Sequence, residues 1–185
     1  MCNLRLTFMA AGLFFVSVTG AQTRYFTKSG RIEFSSKAPL EDIEARNKTA
    51  TAVLETNTGA LQFSVLLKGF EFEKALMQEH FNENYVESDK FPKAEFKGSI
   101  LNNTDISYSK PGTYNTRVKG IFTLHGVSKE ITTTGTIKVN VDHLRAESTF
   151  NILLSDYAIK LSAIVRDKIS NTIKVVVDTK LEPLK

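Results

Sequence analysis

Between Val118 and Asn140 the chain reads VKGIFTLHGVSKEITTTGTIKVN, and this stretch restricts the fold more than any other. Val118, Phe122 and Leu124 occupy even positions, with Arg117, Lys119, Thr123 and His125 between them. A period of two marks a strand with one face buried and the other in water. Residues 125–129, His-Gly-Val-Ser-Lys, then reverse the direction. A second alternating run follows, with Ile131, Ile137 and Val139 on one side and Thr132, Thr134, Lys138 and Asn140 on the other. Two long strands around a short glycine-containing loop form a hairpin.

Most of the remaining chain repeats the pattern. Residues 25–36 form a first strand with Phe26, Ile32 and Phe34 inward. Ala38-Pro39-Leu40 breaks it, and residues 41–45 are a connector. The second strand covers 47–56, and Asn57-Thr58-Gly59 turns the chain into a third, 60–68, with Leu61, Phe63, Val65 and Leu67 on one face. The period then changes. Phe72, Leu76, Met77, His80, Phe81 and Tyr85 recur at helical spacings, and Glu71 and Glu73 suit a helix start, which predicts the main helix over 71–85. A fourth strand, 94–101, turns Phe96 and Ile100 inward, and 102–113 is polar loop. Beyond the central hairpin, a seventh strand runs over 145–154 with Phe150, Ile152 and Leu154 in phase. Residues 155–168 are irregular, with a helical turn near Ile164. The eighth strand, 169–181, faces Ile173, Val175 and Val177 inward.

Eight mostly antiparallel strands and one helix leave two architectures, a sandwich or a closed barrel. Gly98, Gly120 and Gly135 favour the barrel, because all three fall on inward positions of neighbouring strands, where a glycine marks a sharp bend or a close approach. The expected fold class is all-β with one main helix, and the glycines lean it from the sandwich toward an eight-stranded antiparallel barrel.

The first residues stand apart. Arg5 precedes a run over 6–18 that is apolar except for Thr7, Gly12 and Ser17, and Thr19-Gly20-Ala21 offers small residues for cleavage. Residues 1–21 read as a secretory signal peptide, too short at about 13 apolar residues to span a bilayer. The domain is then 22–185, in the periplasm or secreted. Cys2 is the only cysteine and leaves with the leader, so the mature chain has no disulfide and no thiolate ligand. Loss of Arg5 takes the 24 basic residues to 23 against 20 acidic ones, too balanced and too spread for a nucleic-acid surface. The sequons at Asn47 and Asn102 arise by chance.

Three segments carry a family likeness. They are Phe122-Thr123-Leu124-His125-Gly126-Val127-Ser128-Lys129; the run from Leu76 through Lys90-Phe91-Pro92-Lys93-Ala94-Glu95-Phe96 to Gly98; and Ser155-Asp156-Tyr157-Ala158-Ile159-Lys160. Together they resemble the YceI-like family of secreted lipid-binding barrels, the last segment in its Bacteroidetes-type form. The chain departs from the family at its start, where Lys28-Ser29-Gly30 replaces a stretch that carries Asp and His-Ser in many members, and no Trp precedes it. The resemblance implies an eight-stranded antiparallel lipocalin-like barrel with an apolar lumen for a long polyisoprenoid or isoprenoid quinone, and allows a homodimer.

A prenyl tail needs only a dry, elongated apolar cavity. The inward sets supply such a lining: Phe63, Val65, Leu67, Phe96, Val118, Phe122, Leu124, Ile137, Val139, Phe150, Ile152, Ile173 and Val175. Read from the residues alone, these simply fill a solid core, and it is the resemblance that turns the reading toward a hollow one. Leu76, Met77 and Phe81 cover the mouth or pack the helix down. His80, His125 and His143 lack metal-ligand spacing, no nucleophile or phosphate-loop motif appears, and His125 falls on the outward phase of a strand end. The expectation is a non-catalytic carrier without metal or cofactor. Its rivals are a solid-core interaction module of the envelope and an enzyme acting on isoprenoid lipids through Asp156 or His80.

Overall fold

A computed structural model describes residues 23–184; the segment read as a leader lies outside them. The strands are β1 (Arg24–Lys37), β2 (Asp42–Glu55), β3 (Ala60–Leu66), a two-residue β4 (Glu71–Phe72), β5 (Lys93–Ile100), β6 (Gly112–Leu124), β7 (Val127–Val139), β8 (Leu144–Leu153) and β9 (Thr172–Pro183). Every pairing is antiparallel. The order β1-β9-β8-β7-β6-β5-β3-β2 closes through β1–β2, and β4 adds a short rung on β2. Eight long strands thus make a closed up-and-down barrel, which removes free sheet edges.

Local chemistry explains where elements begin and bend. The central hairpin turns in two residues, His125 and Gly126, with φ of 50° and 74° and Leu124 paired to Val127. Positive φ at both positions matches the right-handed twist of the flanking strands. The expected five-residue loop is therefore shorter, and Val127 to Lys129 belongs to β7. Phe91 lies over this turn: a β-carbon on Gly126 would come within 2.5 Å of its ring.

Strand β1 corrects the expected phase. Register shifts flank Gly30, and the partner strand absorbs its own extra residues after Asn47. Tyr25 and Thr27 point inward before the bulge, Ile32, Phe34 and Ser36 after it. Phe26 faces outward, with the Lys28 ammonium over its ring. Strand β2 starts at Asp42 rather than 47, because Ile43 and Ala45 pair with β1 although they alternate with acids. The helix is also shorter than expected. Glu71 and Phe72 pair with β2, α1 covers only Ala75–His80, and a π-turn carries Phe81–Tyr85.

The core divides into two ends. Leu54, Leu144, Leu181, Val139, Ile137 and Ile100 close one end, and the loop after β5, read as polar, drops Ile106 beneath them. Tyr108 from the same loop donates to Asn103 Oδ1, and burial pushes its hydroxyl up to about 12. The other end stays open under α1, the turn between β1 and β2, and residues 154–169. Among the described residues no helix is long and apolar enough to cross a membrane.

Candidate functional site: a hollow barrel

The inward faces do not meet. They enclose an apolar cavity of about 540 Å³, in the size range of small-molecule sites. Along β7 its wall runs from Ile131 to Ile137, roughly 20 Å of strand. Twelve of the thirteen residues named as lining stand at the cavity wall. Phe63, Val65, Leu67, Phe96, Val118, Phe122, Leu124, Ile137, Phe150, Ile152, Ile173 and Val175 all border the cavity. Val139 does not. It pairs with Gly112 and Leu144 one row beyond Ile137 and is packed into the closed end.

Leu76, Met77 and Phe81 line the opening. Phe81 also belongs to a ring cluster with Phe34, Phe70 and Phe72, centroids 5.1–5.9 Å apart. Such contacts hold the helical segment on the barrel without filling it. Further residues at the cavity wall were not in the expected lining set. Ile131, Phe34 and Val177 carried the alternating signal that identifies their neighbours. Phe70, Ile159, Val165 and Ile169 come from segments with no period to read.

Glycines shape the wall. Gly98 faces Gly120 across β5 and β6, and a β-carbon on either would lie within 2.4 Å of a backbone oxygen of the other strand, Lys119 or Lys97. The ladder between β7 and β8 stops at Gly135 and Ser148. Above that row the 3-10 turn Leu154–Tyr157 follows β8, and Lys129 Nζ on β7 reaches Asp156 Oδ1 at 3.2 Å. Asp156 is thus spent on an exposed ion pair.

One junction at the open end holds every non-glycine residue of positive φ among the described residues: Glu87, His125 and Ala158, at 45°, 50° and 58°. His125 Nδ1 donates to the carbonyl of Tyr157, 3.0 Å away, and Nε2 lies 2.6 Å from Glu87 Oε2. The hydrogen bond from His125 holds the Glu87 carboxyl below its usual range. The Phe91 ring packs edge-on against the imidazole. The left-handed turn swings this side chain back over the rim, so it is 13% exposed rather than on the open surface. His125 ties three segments together: the chain after the helix, the central turn and the loop after β8. His80 borders the cavity mouth, and His143 bonds Asp142 and Asn140 at the other end. Among the described residues no three His, Cys, Asp or Glu side chains are grouped as a metal site.

Comparison with known proteins follows the same lines. The family model of the YceI-like domain matches residues 6–181. No curated protein matches. Solved structures at 14% identity share the fold. The polyisoprenoid-binding domain from Saccharophagus degradans aligns with a TM-score of 0.76, over 88% of this chain and 99% of that one. BcnA from Burkholderia cenocepacia gives 0.68, over 82% and 95%. The Campylobacter jejuni YCEI protein gives 0.55 with full coverage of both chains.

Proposed function

Because the chain belongs to the YceI-like domain family, we propose that it is a binding protein that holds one long apolar lipid, a polyisoprenoid or isoprenoid quinone, in the barrel lumen. The continuous apolar cavity carries this reading. Sheltering a hydrocarbon chain from water is worth roughly 0.8 kcal/mol per methylene, less the cost of ordering it. A prenyl tail has no charge to grip, and shape with desolvation suffices for it. Met77 at the mouth adapts to different tails, since an unbranched thioether repacks at little cost. The fold shared with a domain described as polyisoprenoid-binding supports the same ligand class.

No step of bond making enters this account. Of the two groups named for an enzyme, Asp156 pairs with Lys129 on the outside, and His80 stands at the cavity mouth. The reading also places the mature protein after export, in the periplasm or outside the cell, with residues 1–21 removed.

Organic extraction of protein purified from its native envelope, followed by mass spectrometry, tests the proposal. A prenyl lipid near one per chain is the expected result. Repeated recovery of lipid-free protein from a prenyl-rich envelope would overturn it. Phe122 projects into the lumen against Phe150 and Tyr157, so Phe122→Asp should abolish retention; a folded variant that keeps its lipid contradicts the site.

A further inference from the structure

The cations that border the cavity stand at its mouth, whereas its deep wall carries hydroxyls, with Glu147 beside them and Glu95 on β5. Glu41, Lys74, His80 and Lys168 stand at the opening. Deep inside, Thr116, Gly135 and Ser148 form one inward row across β6, β7 and β8. The next row contains Ile137 and Ala146, where the cavity ends against the closed core.

Gly135 leaves a notch in this wall. A β-carbon there would lie 3.4 Å from Thr116 Oγ1, 3.2 Å from Ser148 Cβ and 2.5 Å from the Glu147 carbonyl oxygen. Thr133, with Oγ1 3.5 Å from Ser148 Oγ, borders the notch on the mouth side. Ser148 donates to the Thr134 carbonyl at 2.7 Å, and Thr133 Oγ1 points to the same oxygen at 3.3 Å. Thr116 differs. It is 4% exposed and faces the cavity, and among the described residues its hydroxyl has no hydrogen-bond partner. Unlike the unpartnered hydroxyls of Ser88 and Thr179, which are sealed from open space, that of Thr116 is not fully enclosed, so a ligand in the cavity can supply its partner.

We propose that the notch receives the polar end of the bound lipid, and that this end is uncharged, an alcohol or carbonyl oxygen. The inference rests on the lumen being a lipid site. Thr116 Oγ–H donates to the ligand oxygen, and its lone pairs accept from a ligand hydroxyl. On the cavity side this row carries no cation, Arg117 lying in the groove outside it, so a phosphorylated end would enter with its charge unpaired. The tail then runs toward the mouth past Leu124 and Met77.

The test measures affinity of the full protein for three probes of equal chain length: a polyprenyl alcohol, the corresponding hydrocarbon and the polyprenyl phosphate. Wild type should prefer the alcohol to the hydrocarbon by roughly 5- to 10-fold, the effect of one neutral hydrogen bond, and should bind the phosphate least. Thr116→Val keeps the shape of the side chain and should bring the alcohol-to-hydrocarbon ratio toward one; Ser148→Ala, read the same way, serves if that variant fails to fold. A ratio that is the same in wild type and variant overturns the notch while leaving the lumen site intact. So does tightest binding of the phosphate that is lost in Lys168→Ala, which would put the polar end at the mouth. Failure of all three probes to bind overturns the notch and the carrier reading together.

Discussion

Gly98 and Gly120 show what single residues contribute. The two strands touch backbone to backbone there, with the Phe96 ring covering both glycines, 2.7 Å from where either β-carbon would stand. An added methyl meets a carbonyl oxygen that cannot move without breaking the ladder. Gly120→Ala should therefore cost about 2–3 kcal/mol, read as a lower urea midpoint at unchanged slope; wild-type stability would mean that the wall relaxes freely. These positions and Gly135 were legible because glycine is rare inside strands and the phase puts all three inward. Asn47 was not. Its place in a sequon says nothing of its role, yet it is fully buried, donates to the Leu66 carbonyl and accepts from Thr49 N–H and hydroxyl. The side chain builds the bulge that keeps β2 in phase, a task visible only once β3 is beside it.

Among elements, β9 is clamped from both sides through Asp178. Arg145 on β8 places Nε and Nη2 at 2.6 and 2.7 Å from its two oxygens, and Arg31 on β1 bonds it as well. The hydrogen bonds from Arg145 outweigh burial and hold the Asp178 carboxyl below its ordinary 3.8. A carboxyl lowered on folding adds stability that is present above the unfolded value and lost as pH falls through the folded one. Asp178→Asn should lower stability at neutral pH by about 1–2 kcal/mol, since both guanidinium groups are half exposed. It should also flatten the acid limb of a melting-temperature profile below roughly pH 4; an unchanged profile would assign that limb to other carboxylates. Strands β5 to β9 were readable because their alternation is unbroken from one end to the other. Strand β1 misled at Phe26, since a bulge inverts the phase without leaving a turn residue other than Gly30. The helix was overextended because Phe72 sits at a helical spacing from Leu76 while its backbone pairs with Ala45.

Across the whole molecule, the outward phase carries Lys97, Lys119, Glu130, Lys138 and Arg145, all exposed, while the inward phase is apolar and encloses space. Alternation predicts that division but not the space, because a filled core and a hollow one need the same pattern. What keeps the barrel open is the placing of the Phe34, Phe70, Phe72 and Phe81 rings beside the lumen, brought together from separate elements, and the wedge of residues 154–169 at its end, which has no period. The hollow is tested most directly by a reporter within it. The chain has no Trp, so Phe150→Trp gives a single indole facing Phe122. Titration with a polyprenyl alcohol should shift its emission to saturation at one lipid per chain, and the shift should vanish when Phe122→Asp is added. Emission that ignores the lipid while the variant remains folded would contradict a lipid in the lumen.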